Sequence, residues 1–117
     1  MYTRRSYAEQ NPTAIEGFLR ALMQGNQAVL TQPEQTKTVL QKYLTLGDPE
    51  DLEASYQDNV RGTEPTLAPS LTGLKDLINQ TVQQNPGIRG VRAEQFVDLR
   101  FIDRIEASGF MRDLERH

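Results

Sequence analysis

At 117 residues and 13.3 kDa the chain has room for one small domain, 1–117, which buries roughly two thirds of the surface its unfolded form exposes. A hydrophobic share of 37% and a mean hydropathy of −0.61 point to a modest core, or to helices that rely on a partner. Thirteen basic and sixteen acidic residues, mixed along the chain to a net −3, exclude a nucleic-acid footprint and an anionic-membrane patch, and the absence of cysteine excludes a disulfide and a thiolate nucleophile.

In chain order, Tyr2–Thr3 reads as a short strand remnant ahead of Asn11-Pro12, where Asn supplies an N-cap and Pro an N1 residue. Ile15, Phe18, Leu19, Leu22 and Met23 then fall on one apolar stripe of a first helix, which Ala28-Val29-Leu30 can extend past Gly25-Asn26. Thr31 and Glu34 stand at capping-box spacing around Pro33, and the second helix has Val39, Leu40, Tyr43 and Leu44 as its apolar face. Gly47 is placed to stop it. Asp48-Pro49-Glu50-Asp51 starts a third helix with its carboxylates at the positive end of the dipole, and Leu52, Tyr56 and Val60 form its inner stripe.

The stretch RGTEPTLAPS, with two prolines and one glycine in ten residues, predicts an extended surface connection. A fourth helix follows from Ser70 as N-cap, with Leu71, Leu74, Leu77, Ile78 and Val82 on one face, and ends at the loop QQNPGIRG. Beyond it come a short helix through Phe101, Ile102 and Ile105, a stop at Gly109, and a last patch of Phe110, Met111 and Leu114. The predicted class is therefore mostly α, with four main helices and one or two short C-terminal ones. Three Pro-led helix starts, Pro12, Pro33 and Pro49, are unequally spaced and do not make a solenoid repeat.

The chemistry on offer is sparse. His117 is the only histidine and stands last, where a terminus is expected to fray, so it reads as a tail residue and not as a metal ligand or base. Glu50, Asp51 and Glu53 read as helix electrostatics, and Asp98, Asp103, Glu106 and Asp113 alternating with Arg100, Arg104 and Arg112 read as a solvated face. NPGIRG lacks the preceding strand and following Lys-Ser/Thr of a phosphate loop, and Tyr43 and Tyr56 read as core. No nucleophile, base and orienter can be assembled, so neither an enzyme nor a metal or cofactor is expected. Arg4 and Arg5 are the one candidate ligand-binding pair, because a guanidinium after a strand end suits forked recognition of a carboxylate, sulfonate or phosphate. The competing reading is solvated charge beside a terminus.

The order of these pieces resembles the carboxyl-terminal third of the periplasmic substrate-binding proteins of ABC transporters, in the nitrate, sulfonate, taurine and thiamine-precursor group. The segments that carry it are YTRRSYAEQNPTAIEGFLRALMQGNQAV, QPEQTKTVLQKYLTLGDPEDLEASYQ, PTLAPSLTGLKDLINQ and VRAEQFVDLRFIDRIEASGF. Within them stand a P-S-L-x-G-L helix start from Pro69 to Leu74 and a closing F-V-D-L-x-F-I-x-x-I-x-x-S-G-F.

The resemblance implies the tail of a two-lobed periplasmic-binding-protein type II fold. Its sheets and most of its cleft lie upstream of Met1, its permease is an ABC permease, and its place is periplasmic or extracellular. No membrane-spanning run of about 18 apolar residues and no signal peptide occur in this chain, so an export signal is expected outside it. Residues 2–5 are then expected to be disordered or paired with another chain, and exposed apolar helix faces to meet the rest of the protein or a second copy. The alternative is a free-standing helical interaction or scaffold module.

Overall fold

The structure, a computed structural model, describes residues 1–116. Those residues form α1 (Arg5–Gln10), α2 (Pro12–Thr31), α3 (Pro33–Leu44), α4 (Pro49–Gly62), α5 (Leu71–Gln84), α6 (Arg100–Ala107) and α7 (Phe110–Glu115), with 3-10 turns at Pro86–Ile88 and Ala93–Phe96. The chain is mostly α, and no strand occurs among the described residues. The strand remnant expected at Tyr2–Thr3 is thereby corrected. Residues 1–4 have no regular structure, and from Arg5 the backbone is already helical, which discharges its hydrogen bonds locally with no neighbouring strand. His117 lies outside the described residues.

Three clusters organise these helices. The central one buries Ala8 of α1, Ile15, Leu19 and Met23 of α2, and Phe101, Ile102 and Ile105 of α6, with Leu67, Phe110, Met111 and Leu114 against its edge. Ile15, Leu19 and Met23 are spaced by four residues and hold the centre of the predicted stripe, whereas Phe18 on its flank is 53% exposed. Arg20 ties this cluster together from outside. Its guanidinium donates to Glu16 Oε1 at 2.9 Å and to Ser108 Oγ at 3.3 Å, and lies 4.8 Å from the Phe110 ring centre. Gly109, at φ +79°, supplies the left-handed corner that turns α6 into α7, as the sequence predicts.

The second cluster is the α3–α4 hairpin, fastened to α2 by Tyr56, which is buried and donates its hydroxyl proton to the Val29 carbonyl at 3.0 Å. Leu52 and Val60 flank it half-buried. The third is α5 with the two 3-10 turns, folded around Ala93. No residue of α5 is buried, although Ser70 caps it as predicted by accepting from Gly73 N at 3.1 Å. The connection between Gly62 and Ser70 is pinned at Leu67, whose backbone is left-handed (φ +56°) while its side chain reaches the central cluster.

Three predicted helix signals act differently from their sequence reading. Asn11 holds the N-cap position of α2 but also ends α1, and its amide donates to the Tyr7 carbonyl at 3.2 Å, satisfying the helix behind it. Thr31 forms no capping box with Glu34. Gln32 alone separates α2 from α3, so Thr31 is still helical and gives its hydroxyl to Gln27 O at 2.8 Å. Gly47 does not stop α3, because Thr45 takes the left-handed C-cap (φ 53°) first and leaves Leu46 to Asp48 to complete the reversal before Pro49. Asp48 then caps α4 as expected, accepting from Glu50 N at 2.8 Å.

The resulting shape is open. The radius of gyration is 17.6 Å, against about 13 Å for a compact chain of this length. The long axis measures 48 Å and the short one 22 Å.

Candidate functional site

Neither arginine of the candidate pair lines either of the two clefts described below. Arg4 is the extended, exposed N-cap of α1, and its carbonyl accepts from Ala8 N at 3.1 Å. Arg5 opens α1 and sends its guanidinium to the Gln95 carbonyl at 3.5 Å, tying the N-terminal segment to the 3-10 turn Ala93–Phe96. The strand end that motivated the pair does not form.

Two clefts stand out on the surface of the described residues. One, of about 370 Å³, lies between α5 and the following turn, lined by Lys75, Ile78, Asn79, Val91, Arg92, Ala93 and Glu94. Lys75 and Arg92 both approach the Glu94 carboxylate, at 3.4 and 3.9 Å. The Glu94 carboxyl sits below the ordinary carboxylate range, chiefly through a hydrogen bond from its own backbone N–H and further through Lys75. The other cleft, of about 350 Å³, is apolar and aromatic, bounded by Met1, Tyr2, Thr3, Tyr7, Ala14, Ile15 and Phe18.

Outside the clefts, the charged residues serve the helices. Asp98 accepts from the Arg100 backbone N–H at 3.1 Å and from its guanidinium at 3.0 and 2.7 Å, which holds the Asp98 carboxyl below its usual range. Glu50 and Asp51 occupy the first turn of α4, where the sequence puts them. Glu53 is different, for it reaches across the hairpin to Lys37, whose ammonium also lies 5.4 Å from the Tyr56 ring centre. That pair is invisible to spacing along one helix, since it depends on how α3 and α4 are set side by side.

The hydrogen bond from Lys37, aided by one from Gln57, lowers the Glu53 carboxyl, and the same contact raises Lys37. A depressed carboxyl contributes stability above its unfolded pKa and loses it as pH falls through its folded value, while the raised lysine loses its share only as pH rises beyond the ordinary lysine range. Acid that takes the pH below the ordinary carboxylate range should therefore loosen the α3–α4 hairpin. Urea midpoints followed by circular dichroism are expected to drop less in acid for Glu53→Gln than for the parent; equal drops would contradict this assignment.

No buried polar or charged side chain and no group of three His, Cys, Asp or Glu in reach of one metal ion occurs among the described residues. Among the described residues no helix is long and apolar enough to cross a membrane. What the surface does present is apolar area. Val39, Tyr43 and Leu44 of α3 are at least half exposed, Tyr43 at 73%, which corrects its reading as core. Among the described residues none covers these side chains, and Lys42 lies 5.3 Å from the Tyr43 ring centre. Leu77 of α5, Phe96, Tyr2, Tyr7 and Phe18 are exposed as well. Comparison with protein-family models, curated proteins and solved structures finds no match. The functional reading therefore rests on these uncovered faces and on the order of the sequence segments.

Proposed function

We propose that this chain is the carboxyl-terminal, helical portion of an ABC-transporter solute-binding protein for a small anionic or heteroaromatic solute, acting outside the cytoplasm and binding no solute by itself. The observation that carries the reading is the uncovered apolar side of α3 and α5. Val39, Tyr43, Leu44 and Leu77 stand exposed on amphipathic helices, whose apolar faces suit packing on a further element such as a sheet. The segment order from the Asn11-Pro12 start to the closing Ser108-Gly109-Phe110 supports the same assignment. In such a protein the solute would sit between two α/β lobes, and these helices would brace one lobe without lining the cleft.

The coding sequence ahead of Met1 tests this. An in-frame extension with alternating strand and helix patterns and an export signal is the expected finding. A stop codon immediately upstream would sink the reading and transfer the same faces to a free-standing helical interaction module.

A further inference from the structure

Residues 70–96 stand apart from the rest of the chain. Among the described residues α5 packs on the two 3-10 turns and on no other helix, and those turns pack on α5 alone. The segment has a small interior of its own, in which Leu71, Leu74, Ile78, Val82, Ile88 and Val91 are half-buried and Ala93 is buried. Lys75 fastens α5 to the second turn through Glu94 at 3.4 Å. None of these side chains belongs to the central cluster or its edge. Among the described residues a single hydrogen bond joins the segment to the rest, from Arg5 Nη2 to the Gln95 carbonyl. Its length, 3.5 Å, lies beyond the usual N–H···O range.

The two connections are fixed at their outer ends. Leu67 seats its side chain at the edge of the central cluster and holds a left-handed backbone (φ +56°), which leucine keeps only where its surroundings impose it. Behind it Asn26 donates to the Glu64 carbonyl at 3.1 Å. On the other side Asp98 accepts from the Arg100 backbone and guanidinium, and Phe101 is buried in the central cluster. Backbone rotation is left to the exposed Ala68-Pro69 on one side and to Val97 on the other.

We propose that residues 70–96 form a hinged arm, which turns as one body about the axis through Ala68-Pro69 and Val97 and is latched in its observed position by Arg5. Two single-stranded connections allow a turn about the line between them and forbid free tumbling. Units of one chain move against each other unless a large apolar interface holds them, and no helix packing joins this arm to the body. The exposed Arg5 bond competes with water, so it biases the arm without locking it. The cleft of about 370 Å³ lies wholly within the arm and travels with it, as do the exposed Leu77 and Phe96. The inference does not rest on the solute-binding-protein reading.

The chain has no cysteine, so introduced cysteine pairs carry spin labels at chosen sites alone. Pulsed electron resonance on labelled chain diluted with unlabelled copies then reads distances within one molecule. Gln24→Cys with Gln83→Cys spans body and arm, Gln24→Cys with Asp103→Cys lies within the body, and Thr72→Cys with Arg89→Cys within the arm, all at exposed positions. The spanning pair is expected to give a distance distribution at least about twice as wide as either internal pair. Arg5→Ala is expected to widen it further with the helical signal unchanged. A spanning pair as narrow as the internal ones overturns the hinge. An arm pair as broad as the spanning pair overturns it too, because the segment then melts and does not turn as one body. A distribution indifferent to Arg5→Ala overturns the latch. The upstream coding sequence tests the functional reading and leaves these distances untouched.

Discussion

Ile105→Ala is expected to lower the stability of the chain by about 3 kcal/mol and to melt α1, α2, α6 and α7 together. Ile105 is wholly buried at the centre of the main cluster, among Ile15, Leu19, Met23, Phe101 and Ile102. Truncation removes three carbons from a site whose neighbours come from two crossing helices, so it forfeits their transfer energy and leaves a cavity that the backbone can close only in part.

The cost matters more here than in a larger domain, because the central cluster has only seven buried members and none is a spare. Ile105→Val keeps the branched carbon and should cost about 1 kcal/mol, and because Ala is a better helix former than Ile or Val, the larger loss in Ile105→Ala reports the cavity and not helix propensity. Urea denaturation at one fixed protein concentration reads both values, since any association would shift the midpoint. Equal midpoints for the parent and Ile105→Ala would mean that the cluster around α6 is not what holds the fold.

The same cluster shows what could be read in advance. Apolar residues spaced by three and four mark α2 and α6, and the proline-led starts at Pro12, Pro33 and Pro49 mark N-termini, because both signals are local consequences of helix geometry. Ser70 and Asp48 act as caps for the same reason. What failed was decided by junctions and by neighbours.

Asn11 and Thr31 each lie where two helices meet with almost no loop, so their side chains serve the helix behind them and not the one ahead. Helix α1 was missed because six residues with one buried alanine carry too little periodicity to separate from a strand end. Phe18 lies beside the buried stripe of α2 and Tyr43 on the apolar side of α3, which has no buried residue, and both stay exposed because amphipathicity states which side is apolar and not whether anything covers it. Of the candidate site, the Lys37–Glu53 pair and the N-terminal cleft join segments distant in sequence, and no spacing rule reaches them.

Tyr56 gives the sharpest test of the division into clusters, because it belongs to the hairpin and not to the centre. Its ring is buried under α3 and its hydroxyl donates to the Val29 carbonyl at 3.0 Å, so it joins α4 to α2 by packing and by a directed hydrogen bond at once. Tyr56→Phe keeps the ring but leaves the Val29 carbonyl, whose i+4 residue is Pro33 and offers no N–H, to solvent, for an expected loss of about 1 kcal/mol. Tyr56→Ala removes both contributions and also takes away the aromatic face beside the Lys37 ammonium, for about 3 kcal/mol.

The loss should be confined in space. Hydrogen exchange is expected to accelerate through α3 and α4 in Tyr56→Ala while the amides around Met23 and Ile105 keep their protection, since those side chains pack with α1, α6 and α7 and not with the hairpin. If protection instead collapsed everywhere, the hairpin and the central cluster would be one cooperative unit, and the separation between them would be a matter of shape alone.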